Sequence, residues 1–122
     1  MGGEWYSIEL EPEVREWLER CSLGEYRAAE RFADRLAEEG ELLPFPIASH
    51  LGGPVRELRI GPMRVTYWLA PGRRAVLLTV FRKTRSSEVY QVERAIRVQK
   101  TCAAQHGPAE GHDTYSRAEE EL

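Results

Sequence analysis

Three short alternating segments, separated by two glycine–proline pairs, constrain the fold of this chain more than any other feature. The segments are Val55–Ile60, Met63–Leu69 and Arg74–Phe81, and the pairs between them are Gly61-Pro62 and Pro71-Gly72. Glycine and proline favour tight turns, and alternation of apolar and polar residues is typical of strands. The sequence therefore predicts a three-stranded antiparallel meander.

A strand and two helices are predicted ahead of the meander. Trp5–Leu10 alternates as a strand does, and Pro12 suits the first turn of a helix that reaches Cys21. The tetrapeptide Ser22–Glu25 matches a capping box, in which serine and glutamate satisfy the free backbone N–H groups of a helix start. This box predicts a second helix, which we expect to end at Gly40.

The remaining segments complete an α+β fold. Leu42–Pro54 contains three prolines and two glycines and is predicted to be a loop. Ser86 or Ser87 is expected to cap a last helix that ends near Cys102. Residues 105–122 have no apolar period and are predicted to form a disordered acidic tail. The predicted domain, residues 1–104, has the order β-α-α-β-β-β-α, with an antiparallel sheet packed by helices.

Two-residue turns would divide the meander into two faces, because directly opposed residues point to the same side of a sheet. The predicted core face consists of Leu58, Ile60, Met63, Val65, Tyr67, Val76, Leu78 and Val80. The other face consists of Glu57, Arg59, Arg64, Thr66, Trp68, Leu77, Thr79, Phe81 and Lys83. Opposed arginines cost a few tenths to about 1 kcal/mol. Either a phosphate-binding site explains the Arg59–Arg64 pair, or Glu57 and the acidic helices neutralise it.

Charge is distributed unevenly along the chain. The net charge is −3, but residues 1–41 carry 5 basic and 12 acidic side chains and residues 55–100 carry 11 basic and 3 acidic ones. A basic block inside an acidic chain suggests an anionic ligand bound by that block. No apolar run approaches the roughly 18 residues that span a bilayer. With no predicted signal peptide, we expect a cytoplasmic protein with reduced cysteines.

The meander and the last helix resemble the RelE/ParE toxin superfamily, most closely its HigB-like, phage-derived branch of type II toxin–antitoxin systems. The resemblance is carried by Val55–Arg59 (V-R-E-L-R), Met63–Tyr67 (M-R-V-T-Y), Val80–Thr84 (V-F-R-K-T) and Ser87–Tyr90 (S-E-V-Y). It implies a RelE-like fold with an N-terminal strand and helical hairpin, a three-stranded antiparallel meander and a C-terminal helix.

The resemblance also implies ribosome-dependent cleavage of mRNA, in which the RNA 2′-hydroxyl attacks the adjacent phosphodiester without a metal or other cofactor. The catalytic residues it implies are Arg64, Lys83 and Tyr90, and Arg59 completes the basic face. Arg56, Arg82, Arg85 and Trp68 are further candidates for binding the substrate. The implied partners are mRNA on the ribosome and a helix-turn-helix, HigA-like antitoxin.

The general base and the aromatic contacts have alternative interpretations. RelE carries a catalytic lysine that this chain lacks, so Glu57 and His50 are the candidate bases, although Glu57 could simply pair with Arg59. Trp68 and Phe81 could stack on bases or cover the edge of a core. A different function class fits the same fold: a non-catalytic binding module, either a ParE-like gyrase inhibitor or an attenuated toxin that only binds its antitoxin.

Overall fold

The computed structural model describes residues 5–84, 88–105 and 113–115 and shows an α+β fold. The helices and strands follow one another as β1 (Ser7–Leu10), α1 (Pro12–Arg20), α2 (Leu23–Glu39), a 3₁₀ turn (Gly40–Leu42), β2 (Ala48–Gly52), β3 (Val55–Ile60), β4 (Met63–Ala70), β5 (Arg74–Arg82), α3 (Glu88–Gln105) and β6 (Asp113–Tyr115).

The sheet is mixed, which corrects the predicted antiparallel sheet. Its strand order is β2-β3-β4-β5-β1-β6. The meander β3-β4-β5 is antiparallel as expected, but β1 runs parallel to β5. The predicted Leu42–Pro54 loop contains β2, which pairs with β3. Its sequence is a poor strand former, so hydrogen bonding to the β3 edge decides its conformation.

The last short strand, β6, lies in the segment predicted to be disordered. Its three residues pair antiparallel with β1, so the prediction is wrong for residues 113–115. This segment has no apolar pattern that would stabilise a strand, and the backbone hydrogen bonds to the β1 edge stabilise it instead. The rest of the predicted tail beyond residue 105 lies outside the described residues, and so do Ser86 and Ser87, the predicted caps of α3.

The helical hairpin forms as predicted and covers one face of the sheet, here called the hairpin face. Ser22 and Glu25 make both hydrogen bonds of the capping box. Gly40 ends α2 with a φ of 51°, and a side chain at this position would overlap the ring of Tyr6. The resulting core holds Ile8, Leu10, Val14, Trp17, Leu36, Leu58, Ile60, Val65, Tyr67 and Leu77.

The opposite face, here called the α3 face, is covered by the C-terminal helix. Ala95 and Cys102 of α3 are buried in a second apolar cluster with Val55, Val76 and Leu78. The sheet therefore lies between two helical layers, and the face that carries the predicted site is partly a core as well.

The turn between β4 and β5 has three residues, Pro71 to Arg73, because Ala70 pairs with Arg74. This corrects the predicted two-residue turn. A bulge between Thr66 and Tyr67 shifts the register again. Consequently Leu77 lies on the hairpin face, whereas Val76 and Leu78 lie on the α3 face. The sequence-based prediction places Val76 and Leu78 on the core face and Leu77 on the other face, so all three assignments are reversed.

Candidate functional site

The two arginines predicted to oppose each other do so. The turn of Gly61 and Pro62 pairs Ile60 with Met63 and therefore Arg59 with Arg64. On the other side of Arg64 lies Phe81 of β5. We call Arg59, Arg64 and Lys83 the basic cluster; it lies at the end of the α3 face where β3, β4 and β5 meet the start of α3.

Arg64 is held rigidly at the centre of this cluster. It is only 8% exposed, and its Nη1 donates hydrogen bonds to the carbonyl oxygens of Gly61 at 2.7 Å and Met63 at 3.0 Å. Two such bonds fix the plane of the guanidinium, so the group is oriented before any ligand arrives. Arg64 therefore has a structural role beside any binding role.

Glu57 lies between the two arginines. Its carboxylate oxygen is 3.8 Å from Arg59 Nη1 and 3.9 Å from Arg64 Nε, and it accepts a hydrogen bond of 3.2 Å from Ser49 of β2. One buried carboxylate thus offsets the repulsion between Arg59 and Arg64. This geometry agrees with the interpretation of Glu57 as a pairing partner.

Lys83 has its own acidic partner. Its Nζ donates a hydrogen bond of 2.6 Å to Glu88, the first residue of α3. This hydrogen bond holds the pKa of Glu88 below its ordinary value, and the positive charges of Arg64 and Arg59 act in the same direction. Glu88 is therefore an ionised carboxylate at neutral pH, seated beside all three cations.

The other candidates from the last strand and helix are solvent-exposed. Tyr90 is 57% exposed on the first turn of α3. Arg82 is exposed and pairs across the sheet with Met63, a residue of the hairpin face. Strand alternation thus directs Arg82 away from Lys83. Arg85 lies outside the described residues.

Arg56 and His50 do not join the basic cluster. They pair with each other across β2 and β3, and alternation places them on the hairpin side, opposite to Arg59. Arg56 donates hydrogen bonds to the carbonyl oxygens of Glu41 and Leu43, and the His50 ring bonds to the carbonyl of Gly53 at 2.9 Å. Both therefore contact loops, and the structure does not bring either of them together with the basic cluster.

The two aromatic candidates for base stacking both pack against the fold. Phe81 is buried, and Trp68 packs in the apolar cluster under α3. Burial raises the pKa of the Cys102 thiol in this same cluster. This packing agrees with the interpretation of Trp68 and Phe81 as residues that cover the edge of a core.

Sequence reasoning missed three side chains that shape this region. Glu88 pairs with Lys83, and its position in a first helical turn, where acids are favoured, was an available indication. Glu13 of α1 forms two hydrogen bonds with Arg94 of α3, of 2.6 and 3.0 Å, and accepts one from the Val80 backbone. Phe45 contacts Arg59. The Glu13–Arg94 and Phe45–Arg59 contacts join segments that are far apart in the sequence, so no local pattern reveals them.

Among the described residues, no three His, Cys, Asp or Glu side chains are grouped so that they could hold a metal ion. In the same part of the chain no helix is both long enough and apolar enough to cross a bilayer. The site has three cations and two carboxylates, and the chemistry available to these groups is the binding of an anion and the transfer of protons.

Comparison with known families assigns the chain to a protein family. The family model described as "Phage derived protein Gp49-like (DUF891)" matches residues 16–100, which include α2, the meander and most of α3. No curated protein matches the chain significantly. The chain therefore belongs to the phage-derived Gp49-like family, which is part of the RelE/HigB-like toxin superfamily.

Proposed function

We propose that this Gp49-like protein is the HigB-like toxin of a type II toxin–antitoxin system and cleaves mRNA on the ribosome. The observation that carries the proposal is the basic cluster of Arg59, Arg64 and Lys83, held together at one end of the sheet. Three cations around one point suit a phosphodiester, whose charge increases as the transition state forms. The superfamily also implies an antitoxin partner, which we propose to be HigA-like with a helix-turn-helix.

The proposed reaction forms a bond between the RNA 2′-oxygen and phosphorus and breaks the bond to the 5′-oxygen. A base takes the proton of the 2′-hydroxyl and an acid gives a proton to the 5′-oxygen, so the products are a cyclic phosphate and a 5′-hydroxyl. Arg64 stabilises the phosphorane from a fixed position. Lys83 contacts the phosphate or the leaving oxygen, and Tyr90 orients the RNA from the exposed start of α3.

The candidate bases differ in their access to this reaction. Glu57 is buried and occupied by Ser49 and two arginines, an arrangement that favours charge pairing over proton abstraction. His50 lies on the other side of the sheet. Neither residue is therefore well placed to replace the catalytic lysine of RelE. The lack of a clear general base supports a second candidate function.

The second candidate is a non-catalytic toxin, either a gyrase inhibitor of the ParE type or an attenuated toxin that only binds its antitoxin. The specific observation in its favour is that Glu57 and Glu88 offset two of the three cations of the cluster. Together with these two carboxylates the cluster has a net charge near +1, and it binds a phosphodiester less strongly than three unpaired cations would.

Induced expression in a bacterial host distinguishes these functions. For the proposed nuclease we expect incorporation of labelled amino acids to stop while plasmid supercoiling stays normal, and co-expression of the neighbouring antitoxin gene to restore growth. Loss of supercoiling or broken DNA with continuing translation would indicate gyrase as the target. Normal growth at a verified level of soluble protein would indicate the attenuated form.

Substituting Glu88 with glutamine is expected to strengthen RNA binding about two- to five-fold. The change removes the carboxylate that pairs with Lys83, and an exposed ion pair of this kind is worth about 0.2–1 kcal/mol. The measurement is fluorescence anisotropy of a labelled single-stranded RNA at low salt. Glu93→Gln, on the same helix and exposed, is the matched control. Equal or weaker binding by Glu88→Gln would contradict the proposal that Lys83 contacts the RNA phosphate.

A further inference from the structure

Phe45 is exposed although it is a large apolar residue. Its exposed fraction is 71%, and it lies between the 3₁₀ turn and β2. The guanidinium of Arg59 covers it at 5.4 Å from the ring centroid. An exposed aromatic ring beside an arginine is a common arrangement where a protein contacts a planar ligand.

The backbone that carries the ring is held in place by its surroundings. Pro44 and Pro46 flank it and restrict the backbone on both sides. The N–H of Ala48 donates to the Pro44 carbonyl at 3.0 Å, and the N–H of Arg59 donates to the Ile47 carbonyl at 2.9 Å. The segment around Phe45 is thus tied to β3 by backbone hydrogen bonds, so the ring is presented without a large entropy loss on binding.

The position of the ring relates it to the basic cluster. Arg59, which contacts Phe45, pairs directly with Arg64 across β3 and β4. A phosphodiester bound by Arg64 would therefore have an adjoining nucleotide close to Phe45. Of the two aromatic residues expected to stack on bases, Phe81 is buried and Trp68 is partly buried against the α3 cluster. Tyr90 is exposed as well, but Phe45 is the one in contact with an arginine of the basic cluster.

We propose that Phe45, together with the guanidinium of Arg59, forms a stacking platform for one unpaired nucleobase of the RNA. The inference rests on the proposed function and names the residue that holds the nucleotide next to the cleaved phosphate. Stacking on an aromatic ring tolerates any base because every base has a π-face. Arg59 then has two roles: its charge attracts the phosphate, and its guanidinium supports one face of the ring while the base stacks on the other.

A stacking assay tests the platform directly. The probe is a short single-stranded RNA containing 2-aminopurine, whose fluorescence is quenched when the base stacks. We expect wild-type protein to quench it, Phe45→Ala to bind about 5- to 100-fold more weakly without quenching, and Phe45→Trp to restore both. Leu42→Ala is the matched control, because Leu42 is 78% exposed in the neighbouring turn.

The outcomes separate the platform from the proposed function. If Phe45→Ala binds and quenches like wild-type protein, or if Leu42→Ala loses as much affinity, the platform is wrong while RNA cleavage stands. If wild-type protein neither binds RNA nor arrests translation, both proposals fail. Melting temperatures of all three variants are expected to match that of wild-type protein, since both side chains are exposed, and a lower value for Phe45→Ala alone would indicate a structural role.

Discussion

Replacing Arg64 with alanine is expected to slow mRNA cleavage about a hundred- to a thousand-fold. Removal of one preorganised donor to a developing anion has an effect of this size, and the bonds to Gly61 and Met63 fix the guanidinium in advance. The measurement is the single-turnover rate on ribosomes programmed with a defined mRNA. Arg64→Lys keeps the charge but loses the planar fork, so we expect an intermediate rate.

This substitution also affects stability, since the buried guanidinium bonds two carbonyl groups. We expect a loss of about 1–3 kcal/mol in the free energy of unfolding. A control must therefore separate lost chemistry from lost stability. Unchanged cleavage by Arg64→Ala would remove Arg64 from the mechanism, whereas slow cleavage matched by an equally destabilised variant with an intact cluster would show that stability alone is responsible.

Glu9→Gln supplies a stricter control, because we expect it to lose more stability than Arg64→Ala while the cluster stays intact, and it is the largest predicted change in stability. Glu9 is 1% exposed and accepts two hydrogen bonds from Arg74, of 2.9 and 3.0 Å. This contact raises the pKa of Arg74 further above its ordinary value. Glutamine would remove the carboxylate charge that pairs with this buried guanidinium, and breaking a buried pair on one side costs about 3–5 kcal/mol.

Urea denaturation measures this loss against a matched exposed pair. Glu19→Gln makes the same chemical change in the Arg15–Glu19 pair on the surface of α1, where about 0.3–0.5 kcal/mol is expected. Similar midpoints for the two variants would contradict an energetic role for the buried pair. At temperatures where Glu9→Gln stays folded, we expect it to cleave mRNA at the wild-type rate, because Glu9 lies outside the basic cluster.

Local chemistry explains which parts of the fold are predictable from sequence. The capping box at Ser22 and the turn at Gly61 each depend on a few consecutive residues, and both form as expected. The Arg59–Arg64 pair follows from that turn alone. Alternation would also have placed Arg56 on the opposite face from Arg59, since the two residues are three positions apart.

The features that the sequence did not predict depend on strand pairing, turn geometry and side-chain contacts that residue types alone do not specify. Strand β2 forms because β3 offers it an edge, and β6 forms because β1 does. The turn after β4 takes a third residue, Arg73, with a φ of 56°. Such a turn fixes a different register from a two-residue one, and the bulge at Thr66 shifts it again. The Lys83–Glu88 and Phe45–Arg59 contacts likewise need the folded arrangement.

Primer extension tests the central claim, cleavage of mRNA on the ribosome, most directly. Two reporter mRNAs that differ only in their start codon are expressed with wild-type protein or with Arg64→Ala. The proposed function predicts cuts within the coding region of the translated mRNA, none on the untranslated one, and a strong reduction with Arg64→Ala. Intact translated mRNA in growth-arrested cells, or equal cuts in both mRNAs, would contradict it.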